Sequence, residues 1–279
     1  MGRGGLTEAD LAYITREMRA RTGCRLTLDD ADLIETRIAP IARREGFLSI
    51  QDLITTVRAR RDERLIAAIC EQLLSTDTHF FRDRAAFAYF SRTLFPALAA
   101  RRSENERVRI WSAGCAGGQE PYSIAIAVEE RRLAGLEGDC EVIANDISTR
   151  VIEKARTGAY TQFEVQRGLP IRMLVRHFEK TGDSWLVNDR IRAKVRLHSF
   201  NLLADPVSFG QFDVIFCRNV LCAFGEEERA ATLARLLGAL SPQGALILGD
   251  GESLEIDGFA PIAAAPSIFL RADARRQAA

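Results

Sequence analysis

The chain has 279 residues, of which 47% are hydrophobic and 27% are charged, the composition of an ordinary globular protein. Its 38 Lys and Arg residues balance its 38 Asp and Glu residues, so net charge does not indicate a nucleic acid as a partner. No apolar run is long enough to cross a bilayer, and the first residues, MGRGGLTEAD, lack the apolar core of a signal peptide. We therefore expect a cytoplasmic protein without membrane insertion. Its six cysteines show no CxxC spacing, so we expect reduced thiols and no metal site.

Residues 6–73 carry four successive helical patterns with apolar side chains three or four positions apart. These patterns predict a small helical bundle. Pro40 lies inside the second pattern, where its missing N–H predicts a kink or an interruption. The expected caps and stops of these helices are Thr7 with Asp10, Gly23, Asp30, Gly46, and Ser49 with Asp52.

The helical pattern breaks at residues 75–82, STDTHFFR. Phe80 and Phe81 make this segment too apolar for a flexible linker, so we expect their rings to anchor it against the domain that follows. Asp83 is expected to cap the next helix. The changes of pattern predict three parts: a helical domain over 1–74, a connector motif and helix over 75–103, and a second domain over 104–279.

From residue 108 onward apolar strands alternate with amphipathic helices, which is typical of a mostly parallel sheet with helices on both faces. An insert over 159–194 is less regular and carries a short helix around Met173–Phe178. Pro242, Gln243 and Gly244 predict a turn before a late strand. The expected strands are Val108–Trp111, Cys140–Ala144, Trp185–Val187, Val195–Phe200, Phe212–Cys217, Ala245–Leu248 and Ser267–Leu270.

The stretch VRIWSAGCAGGQEPYS, Val108–Ser123, joins a buried strand to a helix through a turn of small residues. Strand, glycine turn and helix in this order form the first unit of many nucleotide-binding α/β sheets. Small residues are expected where a ligand packs directly on the backbone, because a Cβ would clash there. Glycine patterns also match ordinary turns by chance, so this motif alone leaves both interpretations open.

The carboxyl ends of four predicted strands carry this glycine turn or polar residues, at the edge where such sheets bind ligands. Asp146 ends the second strand, at about the spacing of a carboxylate that binds ribose hydroxyls. Asn201 follows another strand, and its amide can donate to and accept from a purine. Cys217, Arg218 and Asn219 follow a further strand. Each residue alone would suit the start of a loop, but the set favours an adenosine-containing ligand.

NAD is the usual ligand of a glycine-rich first turn. Here the turn lacks the GxGxxG spacing, and no second mononucleotide-binding half follows it. S-adenosylmethionine contains adenosine but no phosphate, so it does not require the phosphate-directed spacing of glycines. The sequence therefore favours S-adenosylmethionine as the cofactor.

Several motifs resemble those of the CheR-type chemotaxis receptor (protein-glutamate) methyltransferase family, and the resemblance covers nearly the whole chain. It implies an α/β fold that contains the Rossmann-like sheet of an S-adenosylmethionine-dependent methyltransferase. A small N-terminal helical domain and a short β-rich insertion accompany this sheet. It also implies methyl transfer from S-adenosylmethionine to glutamate side chains of chemoreceptors, giving γ-methyl esters and S-adenosylhomocysteine. The motifs are STDTHFFRD, WSAGCAGGQEPYS, NDIS, NLL at 201–203, FDVIFCRNVL at 212–221 and GES near 251.

The resemblance implies a set of ligand contacts, whose acidic members suit a cofactor with a sulfonium, an amino group and a ribose. Arg82 is the expected catalytic residue, which would bind the methionine carboxylate or steer the acidic side chain of the substrate. An arginine at this place would also suit a salt bridge between domains. The expected cofactor-binding residues are Thr78, Arg82, Glu120, Asp146, Asn201, Leu202, Cys217 and Arg218.

Three positions depart from the family pattern. Thr76 replaces a common asparagine, and Asp250 replaces a histidine in the turn after the late strand. Ala223 replaces a tyrosine that is thought to lie beside the transferring methyl group. The insert between Phe178 and Val195 is short, which puts in doubt the binding of a receptor tail there.

We predict a protein-glutamate O-methyltransferase that acts on chemoreceptor cytoplasmic helices in chemotaxis-type signalling. The alternative is a catalytically weak or inactive S-adenosylmethionine-binding regulatory module, which Ala223 motivates. A DNA amino-methyltransferase is disfavoured, because that chemistry needs a polar-Pro-Pro-aromatic loop where this chain has CRNV.

A stripe of arginines lies on the second predicted helix. Arg37 and Arg44 are seven positions apart, with Arg43 beside them. Such stripes are usually solvated surface. Because receptor methylation regions are acidic helices, the stripe is also a candidate docking surface for the receptor.

Overall fold

The computed structural model describes residues 6–103, 106–252 and 255–272. The chain forms two compact units. The first runs to Ser75 and also includes Ala223–Ala230, and the second comprises Thr76–Cys222 and the chain from Ala231. None of the helices in the described ranges is long and apolar enough to span a membrane. The division into 1–74, 75–103 and 104–279 stays a prediction, and part of each outer domain lies outside the described residues.

Four helices build the first unit: α1 (Glu8–Thr22), α2 (Ala31–Arg44), α3 (Ile50–Arg60) and α4 (Glu63–Leu73). The predicted capping box of α1 is confirmed, because the Thr7 hydroxyl accepts the Asp10 N–H and the Asp10 carboxylate accepts from Thr7. Ser49 caps α3 as predicted, whereas the Asp30 side chain makes no cap bond to α2. The predicted helical bundle packs around a common core of Ile14, Ile34, Ile38, Leu53, Ile54, Val57 and Ile69, all with 0% exposure.

Of the kink or interruption predicted at Pro40, the interruption is wrong, because α2 continues through this residue to Arg44. The kink stays a prediction. Pro40 and Thr36 are both exposed. The carbonyl that Pro40 leaves without an N–H partner therefore lies on the solvent side, where water can bind it. On the other side Ile38 and Ile41 are buried in the bundle, and this packing maintains the helix.

A later segment completes the first unit. Phe224 forms an antiparallel bridge with Cys24, and the Ala223 carbonyl accepts the Arg25 N–H at 2.8 Å. Arg19 forms ion pairs with Glu227 at 2.6 Å and Glu228 at 2.7 Å. Residues from two distant parts of the sequence therefore form this unit together.

The second unit alternates helices and strands. Its helices are α5 (Arg84–Tyr89), which continues through a π-helical turn, Phe90–Leu94, into α6 (Phe95–Ala99), then α7 (Gln119–Leu133), α8 (Thr149–Thr157), α9 (Gln162–Gln166), α10 (Ile171–His177), α11 (Asp189–Arg192) and α12 (Glu226–Gly238). The first residues of α12, up to Ala230, belong to the first unit. Its strands are β1 (Val108–Ala113), β2 (Cys140–Asp146), β3 (Ala159–Thr161), β4 (Phe178–Thr181), β5 (Ser184–Val187), β6 (Val195–Ser199), β7 (Phe212–Phe216), β8 (Leu240–Ile247), β9 (Phe259–Ile262) and β10 (Ala265–Arg271). Short 3-10 turns lie at Leu28–Asp30, Val207–Phe209 and Leu221–Ala223.

A seven-stranded sheet of order β6-β2-β1-β7-β8-β10-β9 forms the second unit's centre. The pairs from β6 to β8 are parallel, and β10 pairs antiparallel with both β8 and β9. Ser112 of β1 lies opposite Ala144 of β2 and Phe216 of β7, so these strands end side by side. The predicted mostly parallel α/β sheet is confirmed.

The predicted turn at Pro242–Gly244 is wrong, since these residues lie inside β8. The pairing with β7 shifts there, because Phe212 lies opposite Leu240 while Val214 lies opposite Ala245. A bulge of this kind accommodates a proline, which has no N–H to donate to a neighbouring strand.

The insert forms a separate three-stranded antiparallel sheet of order β3-β5-β4, which confirms the short β-rich insertion. The residue pattern had predicted only β5. Phe80 of the connector is fully buried among the insert's aromatic rings, 5.0 Å from Tyr160 and 5.5 Å from Phe178 between ring centroids. The Phe81 N–H donates to Ser123 Oγ of α7 at 3.0 Å. The predicted anchoring of the connector is therefore confirmed.

Phe80→Ala is expected to destabilise the second unit by about 3–5 kcal/mol, because it leaves a cavity in a closed aromatic cluster. Trp111 and Trp185 both belong to this unit, so urea unfolding followed by tryptophan fluorescence reports on it. Phe163→Ala is the matched control, since Phe163 is 73% exposed and its loss should change stability by less than about 0.5 kcal/mol. Equal effects of the two substitutions would contradict the anchoring role.

Candidate functional site

The predicted site residues follow the carboxyl ends of adjacent parallel strands. Asp146 is the last residue of β2, Asn201 follows β6, and Cys217 and Arg218 follow β7. Glu120 lies in the first turn of α7, directly after the glycine turn. The register of the sheet aligns these strand ends, so it gathers the predicted polar residues at one edge.

The glycine turn is shaped first by contacts within the chain. Gly114 has a φ of +78°, and a Cβ on it would lie 2.5 Å from the Val220 side chain. A Cβ on Gly118, whose φ is +88°, would lie 2.8 Å from Ala155. We had expected small residues because a ligand packs on the backbone. At these two glycines the close approach of the chain's own side chains is already a sufficient reason.

Asp146 is held in place by two backbone N–H groups. Its Oδ2 accepts the Ala116 N–H at 3.0 Å, and its Oδ1 accepts the Ser148 N–H at 2.9 Å. Ala116 belongs to the glycine turn and has a φ of 45°. The Asp146 carboxylate at the end of β2 therefore fixes the turn that follows β1. This contact holds the ends of the two strands in a fixed position relative to each other.

Asn201 and Leu202 form part of a tight turn after β6. The Asn201 Oδ1 accepts the Leu203 N–H at 3.0 Å, and the Leu202 side chain is buried. We had expected both the donor and the acceptor of this amide to be available to a purine. The structure uses the oxygen in the turn itself.

Arg218 and Glu120 form a nearly buried ion pair, with side chains 3% and 12% exposed. The Arg218 Nη1 lies 3.3 Å from the Glu120 Oε2, and Ser112 Oγ donates to the Glu120 Oε1 at 2.7 Å. Asp83 lies 3.8 Å from Arg218 Nη2, beyond hydrogen-bond distance. Burial raises the pKa of Glu120, although Arg218 and Ser112 act in the opposite direction.

Arg218 keeps donors that the described residues do not satisfy. Its Nε and Nη2 atoms are buried and have no hydrogen-bond partner among the described residues. Buried donors of this kind are rare, and a bound acceptor can complete them. A ligand with a carboxylate and a positive charge fits this place, because Arg218 offers N–H groups beside the carboxylate of Glu120. S-adenosylmethionine carries both groups.

The connector contributes Thr78 and Arg82, which are both half-buried. The Arg82 Nη1 donates to the Asp77 carbonyl at 3.3 Å, and the positive charge of Arg82 helps to lower the pKa of Glu120 against the larger effect of burial. Cys217 is fully buried, and its N–H donates to the Ile247 carbonyl at 2.9 Å. Burial raises the pKa of its thiol far above the ordinary value, which disfavours the reactive thiolate form.

The sequence did not identify two residues of this candidate site. Ser112 is a fully buried hydroxyl between Trp111 and Ala113 of β1, and a polar residue between two buried apolar neighbours is its only signal in the sequence. Asp83 was correctly predicted as a helix cap, since its carboxylate accepts the Ala86 N–H at 3.1 Å. The same carboxylate adds a negative charge near Arg218. The positions of these two residues in the sequence do not indicate that they lie close together.

A mostly parallel sheet that leads from β1 through a glycine turn into a helix, with a carboxylate at the end of β2, defines a Rossmann-like nucleotide-binding protein. A family model described as CheR methyltransferase, SAM binding domain, matches residues 76–264. The chain therefore belongs to the CheR methyltransferase family. S-adenosylmethionine, and not NAD, is its cofactor.

Three curated relatives support this family membership. The chain is 32% identical to chemotaxis protein methyltransferase Cher2 of Pseudomonas putida, over 86% of this chain and 89% of that protein. It is 32% identical to chemotaxis protein methyltransferase 1 of Pseudomonas aeruginosa over the same shares of the two chains, 86% and 89%. It is 33% identical to the chemotaxis protein methyltransferase of Vibrio parahaemolyticus, over 89% of this chain and 91% of that protein.

The raised pKa of Glu120 predicts a pH dependence of stability. Because this pKa lies above its ordinary value of 4.5, the native state keeps a proton that the unfolded state releases. The free energy of unfolding should therefore fall as the pH rises above 4.5, until the native Glu120 ionises. Glu120→Gln should flatten this fall. The measurement is urea unfolding of the cofactor-free protein over a pH series.

Only the slope of the free energy of unfolding against pH tests this prediction, because Glu120→Gln also weakens the pairing of Arg218. Glu179→Gln is the matched control, since Glu179 is an exposed carboxylate on β4. Its pH curve should run parallel to that of the wild type. A Glu120→Gln curve that is also parallel would show that Glu120 has no raised pKa in the native state.

Proposed function

We propose that this protein transfers the methyl group of S-adenosylmethionine to glutamate side chains in the cytoplasmic domains of chemoreceptors, in chemotaxis-type signalling. The observation that carries the proposal is the extent of the similarity. Relatives named chemotaxis protein methyltransferases match 86–89% of this chain. The match therefore extends beyond the cofactor-binding sheet into the N-terminal helices.

The reaction needs little acid–base chemistry. A glutamate carboxylate is already ionised near pH 7, so its oxygen can attack the methyl carbon without a general base. The bond from the methyl carbon to sulfur would break as the ester bond forms, and sulfur would keep the electron pair as a thioether. When bound, S-adenosylmethionine supplies an electrophilic methyl group on a sulfonium. The protein supplies alignment of the reacting atoms and exclusion of water.

The proposed roles of the site residues follow from their charges. Asp146 would accept from the ribose hydroxyls, and Glu120 would face the positive charge of the methionine moiety. Arg218 would donate to its carboxylate. Arg82 would steer the incoming glutamate, which remains a negatively charged group until the ester forms. Thr78, Asn201, Leu202 and Cys217 would complete the walls of the cofactor site.

A regulatory module that binds S-adenosylmethionine without catalysis is not favoured, because the relatives are named methyltransferases. The departure that motivated it, Ala223, is exposed and bonded through its carbonyl to Arg25. A role of this position beside the transferring methyl group stays a prediction.

Incubation of the protein with labelled S-adenosylmethionine and receptor cytoplasmic fragments should yield base-labile methyl esters on receptor glutamates, which mass spectrometry can locate. Asp146→Asn should weaken cofactor binding about tenfold to a hundredfold, since hydrogen bonds to a charged group contribute about 1.5–3 kcal/mol. Calorimetry measures this affinity.

Asp183→Asn is the matched control for the cofactor measurement, because Asp183 is exposed in the turn between β4 and β5. An unchanged affinity of Asp146→Asn would remove Asp146 from the cofactor site. A protein that binds the cofactor but esterifies none of the receptor fragments would restore the regulatory alternative.

For the receptor we propose a docking surface formed by Arg43 and Arg44, which are both exposed. Arg37 is engaged within the bundle, since its Nη1 donates to the Leu73 carbonyl at 2.7 Å and to the Leu74 carbonyl at 3.1 Å. Arg37 therefore stabilises the end of α4. The supporting argument for the other two is charge complementarity with acidic receptor helices.

Reversal of Arg43 and Arg44 to Glu should raise KM for the receptor about tenfold at low salt, with unchanged cofactor affinity. The difference should shrink at high salt because exposed charges are screened. The same reversal at Arg60 and Arg61, an exposed pair at the end of α3, is the matched control. Equal KM values for the two double variants would show that Arg43 and Arg44 are ordinary solvated surface.

A further inference from the structure

One carboxylate joins the loops that follow two neighbouring strands. Glu252 Oε2 accepts the Asn219 N–H at 2.9 Å and the Gly249 N–H at 2.6 Å. Its Oε1 accepts the Cys222 N–H at a longer 3.4 Å. Asn219 and Cys222 follow β7, and Gly249 follows β8. A single side chain thus satisfies backbone donors of both loops.

The backbone at this junction leaves little freedom. Asn219 has a φ of 59°, a left-handed conformation that asparagine tolerates better than most residues. A Cβ on Gly249 would lie 2.6 Å from Asn219 Nδ2 and 2.7 Å from Glu252 Oε2. The Glu252 carboxylate therefore lies directly against a strained turn and stabilises it through the N–H of Asn219.

The segment Asn219–Cys222 adjoins the cofactor site on two sides. It follows Arg218 directly in the chain, and its Val220 side chain fills the space beside Gly114 of the glycine turn. The Asn219 Oδ1 atom is buried and has no hydrogen-bond partner among the described residues, so its capacity as an acceptor is unused. A displacement of this segment would therefore move groups that adjoin the proposed cofactor site.

Arg218 itself is held by other contacts. Glu120 binds its Nη1, and the Phe87 ring centroid lies 5.9 Å from its Cζ. Neither contact involves Glu252. Loss of the Glu252 carboxylate should therefore loosen Asn219–Cys222 while Arg218, Glu120 and their hold on the cofactor remain.

We infer that Glu252 is a positioning residue for methyl transfer, which fixes the backbone of Asn219–Cys222 at the end of β7 and does not itself hold the cofactor. The inference rests on the proposed function, because methyl transfer is the step that it concerns. It assigns a role to the glutamate of the GES motif, for which the sequence analysis had predicted none.

The test compares Glu252→Gln with Glu255→Gln, a matched substitution of an exposed glutamate on the same loop. Glu252→Gln should lower kcat for receptor methylation about tenfold to a hundredfold, the cost of a small misplacement of reacting groups. Its Kd for S-adenosylmethionine should stay within about threefold of the wild type, and Glu255→Gln should change neither constant. If kcat and Kd worsen together, Glu252 acts on the cofactor site or on folding, and the inference is wrong.

A double-mutant cycle tests whether Glu252 acts through Asn219. Glycine adopts a positive φ without assistance, so Asn219→Gly should reduce the further loss of kcat that Glu252→Gln causes. Equal losses in both backgrounds would show that Glu252 does not act through the conformation of Asn219.

Amide hydrogen exchange separates this inference from the proposed function. Glu252→Gln should speed exchange in peptides that cover residues 218–222, whereas Glu255→Gln should not. If the wild type methylates none of the receptors, the proposed function fails. The exchange measurement then still tests whether Glu252 fixes the backbone of residues 219–222. Unchanged exchange would overturn the positioning role in either case.

Discussion

The ion pair between Arg218 and Glu120 is the interaction on which the carboxyl edge of the parallel strands depends. A charge removed from water must be paired, and loss of either partner would leave the other buried alone. Arg218 follows β7 and Glu120 lies in the first turn of α7, so the pair fixes the separation of the two elements that adjoin the end of β1. Ser112 of β1 donates to the same carboxylate, which ties all three elements to one group.

Features that depend on neighbours in the sequence could be predicted. The Thr7–Asp10 capping box and the Ser49 cap involve residues three positions apart, and the structure confirms both. The ends of β2 and β7 could be located because a buried parallel strand is a short apolar run with a polar residue at or after its carboxyl end, here Asp146 and Arg218. Since parallel strands end at one edge, the candidate site could also be placed there.

Features that depend on distant residues could not be predicted. Pro40 does not interrupt its helix because packing against the other helices of the bundle outweighs one lost hydrogen bond, and no local pattern reports that packing. Pro242 lies in a bulge whose existence is set by the pairing of β8 with β7. The two N–H groups nearest to Glu252 belong to residues 33 and 3 positions away, and only the folded sheet brings them to the same carboxylate.

The contribution of Ala223–Ala230 to the helical unit has a consequence for how the chain folds during synthesis. Helices α1 to α4 leave the ribosome first, but the bridge from Cys24 to Phe224 and the carboxylate partners of Arg19 are translated about two hundred residues later. The first unit must therefore remain without these contacts while most of the sheet is synthesised. A truncated chain that ends at Ser75 would lack these contacts and would expose the surface that they cover.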